Sequence, residues 1–301
     1  MFSRKHKHIL LKFFSMFSVV RGYNVLMVVV AQYVTAVYML AHEKPVREVV
    51  FDLNLFMLVL ASSATIAGGY IINNFYDSEK DLINRPQKSM LDRLISQNTK
   101  LSFYFVLNLL AVIMASYVSF KAVIFFAFYV FGIWFYSHKL KKMPFVGNLI
   151  SAVLTITPFF AIFMYYQNFE HVIFVHATYL FLIISMRELT KDLENIPGDL
   201  VQGYKTIPIA YGEKYSKIML TVLALLTLIP AYFLLTRYDI GYMYYFFYFT
   251  MFLLSAFMVL LWNSDSKKHY LILHNILKFI IFSGVFSLLL INVDLVLNRL
   301  F

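Results

Sequence analysis

The polar stretch at residues 73–81 reads NNFYDSEKD and directly follows an apolar run, in a chain that is 61% hydrophobic. Asn73, Asp77 and Asp81 are spaced four residues apart, so on a helix their oxygen-bearing side chains share one face. Carboxylates at a membrane boundary are unfavourable unless an opposite charge offsets them. Mg²⁺ takes oxygen ligands from a few carboxylates together with substrate phosphates. The stretch therefore predicts a magnesium site at the edge of a membrane.

The composition predicts an all-α integral membrane protein. The chain has 301 residues, of which 19% are aromatic, and its mean hydropathy is +0.72. Soluble domains have a much lower apolar fraction. No cysteine is present, which excludes disulfides, thiolate metal sites and cysteine nucleophiles. The net charge of +10 is better explained by membrane topology than by nucleic-acid binding.

The hydropathy pattern divides the chain into about nine apolar spans of roughly 20 residues each. Residues 1–301 are therefore expected to form a single multi-pass domain. The basic segment before the first span lacks the small-residue cleavage pattern of a secretory signal. The predicted spans are at roughly 17–40, 53–75, 101–120, 122–137, 145–166, 171–188, 216–236, 242–262 and 271–297.

The distribution of basic residues predicts the orientation of these spans. With the N-terminus in the cytoplasm, 20 of the 26 basic residues fall on the cytoplasmic side, five fall on the far side, and Lys278 lies within the ninth span. Cytoplasmic loops of membrane proteins carry an excess of Lys and Arg. We therefore expect a protein of the cell inner (cytoplasmic) membrane with a cytoplasmic N-terminus. Most acidic residues lie on the same side, so we expect nearly all of the chemistry on that face.

A second polar cluster occurs at residues 187–199, which read RELTKDLENIPGD. Asp192, Asn195 and Asp199 are spaced so that they would share one helical face. Pro197-Gly198 is expected to end that helix and to place Asp199 on a loop. The two clusters end the second and sixth spans, a weak internal repeat of roughly 17–137 and 145–262 before the final span. This arrangement would place the two acidic clusters on opposite sides of one cavity.

Each of these features also has a simpler interpretation. One acidic cluster alone is equally consistent with a solvated helix end that carries ordinary charge pairs. Arg21 and Asn24 begin the first span, where such side chains often extend to the membrane interface. The basic loop at residues 136–144 could serve only as a cytoplasmic anchor, and Lys205 could lie in a helix-ending loop. Two acidic clusters on one side favour a diphosphate bound through Mg²⁺.

The two clusters resemble the paired signatures of the UbiA family of intramembrane prenyltransferases. The first signature, N-D-x-x-D-x-x-x-D, stands here as NNFYDSEKD, followed by LINRP; the second stands as KDLENIPGD, followed by KTIP at residues 205–208. Within the family, the motifs are most similar to the digeranylgeranylglyceryl phosphate synthase branch. The resemblance implies nine transmembrane helices around a central cavity with a cytoplasmic polar cap. It also implies Mg²⁺-dependent transfer of a prenyl group from an isoprenyl diphosphate to a lipid or aromatic acceptor.

Two positions depart from the family pattern, because Asn74 and Asn195 stand where aspartates are usual. Asn74 lies about 100° around a helix from Asn73, so the column of predicted ligands is kept. Asn195 retains a carbonyl oxygen but removes one negative charge. These departures keep open a non-catalytic relative that binds isoprenoids.

The resemblance and the two clusters together assign roles to specific residues. The candidate catalytic residues are Asp77, Asp81, Asp192 and Asp199. The candidate metal ligands are Asn73, Asp77 and Asp81 at one site, and Asp192, Asn195 and Asp199 at the other. The diphosphate candidates are Arg85, Lys88, Lys139, Lys141, Lys191 and Lys205, and the acceptor-side candidates are Arg21 and Asn24.

Two alternatives come from other classes of membrane protein. A secondary transporter would place charged side chains near the middle of the bilayer, on broken helices. Here the acidic residues cluster at one end of the spans. A CDP-alcohol phosphotransferase requires a D-G-x-x-A-R motif, which this chain lacks.

Overall fold

The structure is a computed structural model that describes residues 4–293, with side chains described from residue 10 onward. The described part of the chain is helical and contains no β-strand. Its α-helices are α1 (Arg4–Val19), α2 (Gly22–Thr35), α3 (Val46–Val50), α4 (Leu53–Tyr76), α5 (Ser78–Asn84), α6 (Pro86–Asp92), α7 (Gln97–Val118), α8 (Phe120–His138), α9 (Val146–Tyr166), α10 (His171–Glu194), α11 (Ile196–Val201), α12 (Ile207–Tyr211), α13 (Glu213–Leu226), α14 (Leu228–Arg237), α15 (Tyr244–Trp262) and α16 (Lys267–Ser287).

Nine helical segments of the described residues are long and apolar enough to cross a membrane, which confirms the predicted all-α membrane fold. They are Gly22–Leu40, Leu53–Tyr76, Gln97–Val118, Phe120–Lys142, Val146–Tyr166, His171–Glu194, Glu213–Arg237, Gly241–Trp262 and Lys267–Leu290.

The predicted span boundaries differ from the observed ones at both ends of the chain. The first span begins at Gly22 rather than near residue 17, because α1 is a separate helix and Arg21 adopts a left-handed conformation with φ 49°. At the other end the ninth span ends at Leu290, and positions 294–297 of the prediction lie outside the described residues. The predicted third and fourth spans are confirmed, and extended Ser119 separates them.

Helix α4 occupies the centre of the bundle and packs against α7, α8 and α2. Small side chains make this close packing possible, as is common between membrane helices. A Cβ atom at Gly69 would lie 2.9 Å from Ile133 Cγ2 on α8, and one at Gly68 would lie 3.1 Å from Asn108 Oδ1 on α7. Because α4 is central, the polar stretch at its C-terminal end lies near the axis of the bundle, at one end of the spans.

Both polar clusters lie where a spanning helix gives way to a short one. The α-helical geometry breaks at Asp77, between α4 and α5, and at Asn195, between α10 and α11. Asp199 lies within the short helix α11. The prediction that it lies on a loop was wrong. Pro197 occupies the first turn of α11, where its missing N–H group would have no helical partner in any case.

The two short helices α5 and α11 contact each other through Asn84. Its amide donates to the backbone oxygen of Asn195 at 3.3 Å and its side-chain oxygen accepts from the Gly198 N–H at 3.2 Å. A Cβ at Gly198 would lie only 2.3 Å from the Asn84 amide nitrogen, so a residue without a side chain is required there. This contact holds the two acidic clusters next to each other.

Candidate active site

A cavity of about 240 Å³, here called the proximal cavity, lies between the two acidic clusters. Its lining comes from α2, α4, α5, α8, α9 and α10 and from the segment after α11. Charged side chains surround one end of it, whereas Val28, Ile66, Ile133, Leu154 and Pro158 line the apolar remainder. A polar mouth above an apolar floor suits a molecule with a charged head and a hydrocarbon tail.

The first cluster is organised around the ammonium group of Lys141. Lys141 Nζ donates to Asp77 Oδ1 at 2.7 Å and to Asn73 Oδ1 at 3.1 Å. The Tyr204 hydroxyl donates to the same Asp77 oxygen at 2.9 Å. Asn73 and Asp77 thus direct their oxygens at one positive charge, as the four-residue spacing predicts.

Two neighbouring carboxylates in this cluster differ in their affinity for protons. Burial by itself raises the pKa of Asp77, but the charges of Lys141 and Lys80 outweigh it and hold that pKa below its usual value. Burial and the nearby Asp77 charge raise the pKa of Asp81 above its usual value. Asp81 lines the proximal cavity, so its carboxylate faces the space where a cation would bind.

The second cluster lies across the cavity from the first. Asp192 Oδ2 accepts from the Asn148 amide at 2.8 Å, and Asn195 also lines the cavity. Asp199 is completely buried and forms an ion pair with Lys80, which extends across from α5. Burial raises the pKa of Asp199, and the Lys80 charge offsets part of that effect. Lys80 therefore connects the helix of the first cluster to the acid of the second.

Tyr204 lies between the two clusters and contacts both lysines. Its ring centroid is 4.7 Å from Lys80 Nζ and 5.8 Å from Lys141 Nζ. Cations near the face of an aromatic ring are stabilised by its quadrupole. Burial, followed by the Asp77 charge, raises the pKa of the Tyr204 hydroxyl, so the group stays protonated and acts as a hydrogen-bond donor.

Further cationic groups of the cavity are held by buried glutamates. Glu188 forms ion pairs with Arg187, at 2.7 Å, and with Lys191. Glu194 accepts from Arg85 at 3.3 Å, and its other oxygen contacts the buried His274 Nδ1 at 2.6 Å. These glutamates neutralise part of the positive charge and fix the directions of the basic side chains.

Arg21 and Asn24 converge on Tyr70, which also lines the proximal cavity. The Arg21 guanidinium lies 4.9 Å from the Tyr70 ring centroid, and the Asn24 amide donates to the Tyr70 hydroxyl at 3.3 Å. Non-glycine residues in the left-handed region are uncommon and often mark functional sites. The conformation of Arg21 points its side chain into the cavity rather than along α2.

Most of the predicted site residues line the proximal cavity, and the others lie outside it. Residues that line it are Asn73, Asp77, Asp81, Asp192, Asn195, Arg21, Arg85, Lys141 and Lys191. Asp199 lies behind the lining, next to Lys80. Lys88 instead pairs with Asp92 at 3.1 Å, and Lys139 and Lys205 are exposed and do not line the cavity. Their contact with a diphosphate stays a prediction that nothing in this geometry favours.

Asn74 points away from the proximal cavity, as its position on the helix predicts. Its amide donates to Asp92 Oδ2 at 3.0 Å, and its oxygen accepts from the buried Lys100 at 2.9 Å. Ser18 of α1 donates to the other Asp92 oxygen at 2.8 Å. The departure at Asn74 therefore belongs to a structural network that ties α1, α4, α6 and α7 together.

Several polar residues of the cavity were not among the predicted site residues. They include Lys80, Tyr136, Arg187, Glu188 and Tyr204. Lys80, Arg187 and Glu188 lie within the two polar stretches, so their proximity to the predicted ligands was a usable signal. Tyr136 begins the basic loop at residues 136–144 and Tyr204 directly precedes Lys205, so their positions beside the motifs were also a usable signal in a chain with 22 tyrosines.

The residues present fit a hard divalent cation. Asn73 and Asp77 already converge on one positive charge, that of Lys141, and Asp199 Oδ2 is buried without a hydrogen-bond partner in the described chain. Among the described residues, no three His, Cys, Asp or Glu side chains by themselves form a metal site. Each cluster instead combines two carboxylates with one amide oxygen, which suits Mg²⁺ when phosphates complete its coordination.

Comparison with known proteins identifies the family. The profile of the UbiA prenyltransferase family matches residues 29–283. A digeranylgeranylglyceryl phosphate synthase from Thermococcus gammatolerans is 32% identical over 78% of this chain and 85% of its own length. A digeranylgeranylglyceryl phosphate synthase from Methanobrevibacter smithii is 30% identical over 83% of this chain and 88% of its own length.

Solved structures share the same fold. A structure of a digeranylgeranylglyceryl phosphate synthase in membranes superposes with a TM-score of 0.69, at 22% identity, over 92% of this chain and 97% of that chain. A UbiA homologue from Archaeoglobus fulgidus bound to GPP and Mg²⁺ superposes with a TM-score of 0.67, at 13% identity, over 91% of this chain and 99% of that chain. The family match decides against a secondary transporter. The chain thus belongs to the UbiA prenyltransferase family and is an all-α membrane prenyltransferase.

Proposed function

We propose that the protein transfers a prenyl group from an isoprenyl diphosphate to a hydroxyl group of a glycerol-phosphate prenyl ether. One observation carries the proposal: a single cavity combines two acidic clusters and their lysines at its mouth with an apolar floor. The mouth suits a diphosphate with its metal ions, and the floor suits a prenyl chain. The relatives named digeranylgeranylglyceryl phosphate synthase support a lipid acceptor.

Two sets of ligands would hold the magnesium ions. Asn73, Asp77 and Asp81 would bind one ion, and Asp192, Asn195 and Asp199 would bind the other. Bound there, Mg²⁺ would offset the negative charge that develops on the departing diphosphate. The structure of an Archaeoglobus fulgidus relative with GPP and Mg²⁺ supports this choice of metal.

The protein's own cations would act on the same charge. Lys191, Arg187 and Arg85 line the cavity and are oriented by buried glutamates, so they can donate charge-assisted hydrogen bonds to phosphate oxygens. Such preorganised donors stabilise a leaving group without reorganising during the reaction.

The reaction exchanges one carbon–oxygen bond for another. The bond between C1 of the prenyl chain and the diphosphate breaks, and its electron pair leaves with the diphosphate. The acceptor hydroxyl oxygen then bonds to C1 and releases its proton to the aqueous side. Ile66, Ile133 and Leu154 exclude water from the cavity floor, which limits hydrolysis of the allylic cation.

The polar end of the bundle would face the cytoplasm. Arg21, Asp77, Lys141 and Asp192 all lie at the ends of spans on that side, and 20 of the 26 basic residues fall there. The positive-inside rule therefore supports a cytoplasmic N-terminus and a site open to soluble Mg²⁺ and diphosphate at the inner membrane.

The function is tested with purified protein in detergent or lipid, Mg²⁺, and labelled isoprenyl diphosphates. The acceptor panel contains a glycerol-phosphate prenyl ether, hydroxybenzoate, dihydroxynaphthoate and homogentisate. Labelled product and released pyrophosphate are both measured, with and without EDTA. We expect Mg²⁺-dependent transfer to the glycerol-phosphate prenyl ether. Transfer only to an aromatic acceptor would overturn the choice of acceptor, and no transfer to any acceptor would overturn the proposal.

Variants test the metal ligands in the same assay. Asp77→Ala and Asp192→Ala should each abolish turnover with little change in expression. Glu79→Ala is the matched control, because Glu79 is exposed and does not line the cavity although it lies between two predicted ligands. Retained turnover in both Asp variants would contradict the assignment of the metal sites.

A further inference from the structure

A second cavity, here called the distal cavity, lies towards the other end of the bundle. Its volume is about 150 Å³, and its lining is almost entirely apolar, with contributions from α9, α10, α15 and α16. An apolar cavity of this size binds a small hydrocarbon such as benzene in an engineered protein. The functional site described above makes no use of this space.

The first span, which is α2 continued by a π-helical segment at Ala36–Leu40, runs past both cavities and shows how they are arranged. Arg21 and Val28 line the proximal cavity, whereas Thr35 and Met39 line the distal cavity. Val28, Gln32, Thr35 and Met39 fall on one face of the helix, because they are spaced three or four residues apart. The distal cavity therefore continues the proximal one along the first span, and Gln32 occupies the level between them.

The side chain of Gln32 is held in place at this level. It is fully buried, and its amide nitrogen donates to Ser62 Oγ at 3.1 Å and to the Pro158 backbone oxygen at 2.9 Å. Pro158 lines the proximal cavity, and the next residue, Phe159, lines the distal cavity. Gln32 thus bridges α2 to α4 and α9 at the level between the two cavities.

A buried glutamine at this position lowers the stability of the folded protein, so a functional role is needed to explain it. Polar groups buried in an apolar region destabilise the protein unless they are fully hydrogen-bonded, and Gln32 Oε1 has no hydrogen-bond partner in the described chain. An apolar side chain would pack here without that penalty. The two hydrogen bonds of the amide instead fix the side chain between α2, α4 and α9, at the level between the two cavities.

We propose that Gln32 sets the length of the prenyl chain that the enzyme accepts. From Arg21 to Val28, the proximal cavity extends about 10 Å along α2, since a helix rises 1.5 Å per residue. A ten-carbon geranyl chain fits that depth, and a twenty-carbon geranylgeranyl chain exceeds it. With Gln32 in place the enzyme favours the short donor. A smaller residue joins the two cavities and admits the far end of the long donor. This inference rests on the proposed function and adds the identity of the donor.

The test compares wild-type protein with Gln32→Ala and Gln32→Leu. For each, the dissociation constants of geranyl, farnesyl and geranylgeranyl diphosphate are measured with Mg²⁺ present, and kcat/KM is measured with the acceptor that the wild type uses. Gln32→Ala should raise preference for the twenty-carbon over the ten-carbon donor at least tenfold in both measurements. Gln32→Leu keeps a side chain of similar size in the path and should keep the wild-type preference. Gln32→Ser serves as a second opening variant if Gln32→Ala does not fold.

A second substitution tests where the long chain goes. Ala177 lines the distal cavity and not the proximal one. Ala177→Phe fills the distal cavity, so alone it should leave the binding of geranyl diphosphate unchanged. In the Gln32→Ala background it should cancel the gain for the long donor. A gain that survives Ala177→Phe would overturn the assignment of the distal cavity.

The binding measurements separate this inference from the proposed function. An unchanged donor preference in both opening variants would overturn the role of Gln32, whether or not transfer is observed. A shifted binding preference without transfer to any acceptor would support the role of Gln32 and contradict the proposed function instead.

Discussion

Asn74 donates a hydrogen bond to Asp92 at 3.0 Å, on the side of α4 that faces away from the proximal cavity. The usual family residue at position 74, an aspartate, would here place a second carboxylate beside a buried one. Lys100 and Ser18 complete the same network. The amide at position 74 is thus matched to the acid at position 92, and it lies on the side of α4 away from the predicted metal ligands.

The first prediction concerns this pairing. Asn74→Asp replaces a hydrogen bond to a charged group by repulsion, so unfolding free energy should fall by about 1.5–3 kcal/mol. The measurement is thermal or denaturant unfolding in detergent, with bound diphosphate absent. Asn74→Asp combined with Asp92→Asn restores one acid and one amide and should recover most of the loss. Equal stability of Asn74→Asp and wild type would show that the network does not depend on this pairing.

The second prediction concerns the ion pair between Lys80 and Asp199. Lys80→Met leaves a completely buried carboxylate without its cation, and the unfolding free energy should fall by about 3–5 kcal/mol. Lys80→Met combined with Asp199→Asn should regain stability but not prenyl transfer, because a metal ligand is then missing. Lys214→Met removes an exposed lysine and should change neither property. A stable Lys80→Met protein would show that the pair does not hold the two clusters together.

The third prediction separates the hydroxyl group of Tyr204 from its ring. Tyr204→Phe loses the hydrogen bond to Asp77 but keeps the ring near Lys80 and Lys141. Loss of a hydrogen bond to a charged group should lower kcat/KM by roughly 10-fold. Tyr204→Leu also loses the cation–ring contacts and should lower it by a further factor of about 5 or more. Steady-state kinetics with varied diphosphate checks both values. Equal activity of the Phe and Leu variants would contradict a role for the ring.

The fourth prediction concerns pH and Asp81. Because burial and Asp77 raise the pKa of Asp81 in the folded protein, ionisation of this group favours the unfolded state at neutral pH. Asp81→Asn should therefore be more stable than wild type at pH 7 in the absence of Mg²⁺. The difference should disappear below the ordinary aspartate pKa of about 4, where both states hold the proton.

Unfolding measured with EDTA from pH 3 to 8 checks this prediction, and Glu79→Gln provides the matched control at an exposed acid. The same Asp81→Asn protein should have lost prenyl transfer at every pH, because the neutral amide carries no negative charge for the metal. A variant that is less stable than wild type at pH 7 would contradict the raised pKa. Gains in stability at the expense of activity are common where function requires unfavourable charges.

Asp77 should show the opposite dependence. Its pKa lies below the usual value because Lys141 and Lys80 outweigh the effect of burial, so its ionised form stabilises the folded state. That contribution is present above the ordinary pKa of about 4 and is lost as the pH falls through the lower folded-state value. Asp77→Asn should be less stable than wild type at pH 7, and the two curves should meet under strongly acidic conditions.

Much of this architecture follows from local sequence patterns. The number of spans comes from runs of apolar residues, whose length is set by membrane thickness, and nine such helices are observed in the described chain. The placing of both acidic clusters at one end follows from counting spans, because consecutive helices alternate direction. The orientation of Asn74 away from the site is also local, since each helical residue turns about 100° from the one before.

The side chains that form hydrogen bonds and ion pairs with the site residues come from segments distant in sequence. Lys141 reaches Asp77 across 64 residues, and Tyr204 reaches it across 127. Lys88, Lys139 and Lys205 lie close in sequence to the motifs and yet outside the cavity. Position in a motif therefore did not distinguish lysines that line the cavity from lysines that do not.

The sequence by itself determined the membrane fold, the number of spans and the two polar clusters, because helical periodicity and hydropathy can be followed within a single span of about 20 residues. Only the tertiary structure decided which cations offset the acidic side chains of those clusters, and that Gln32 lies between the levels of the two cavities along the first span. Those features arise from side chains of α2, α4, α8 and α9 that meet only after the helices pack. Their identity therefore depends on interhelical distances that no local pattern encodes.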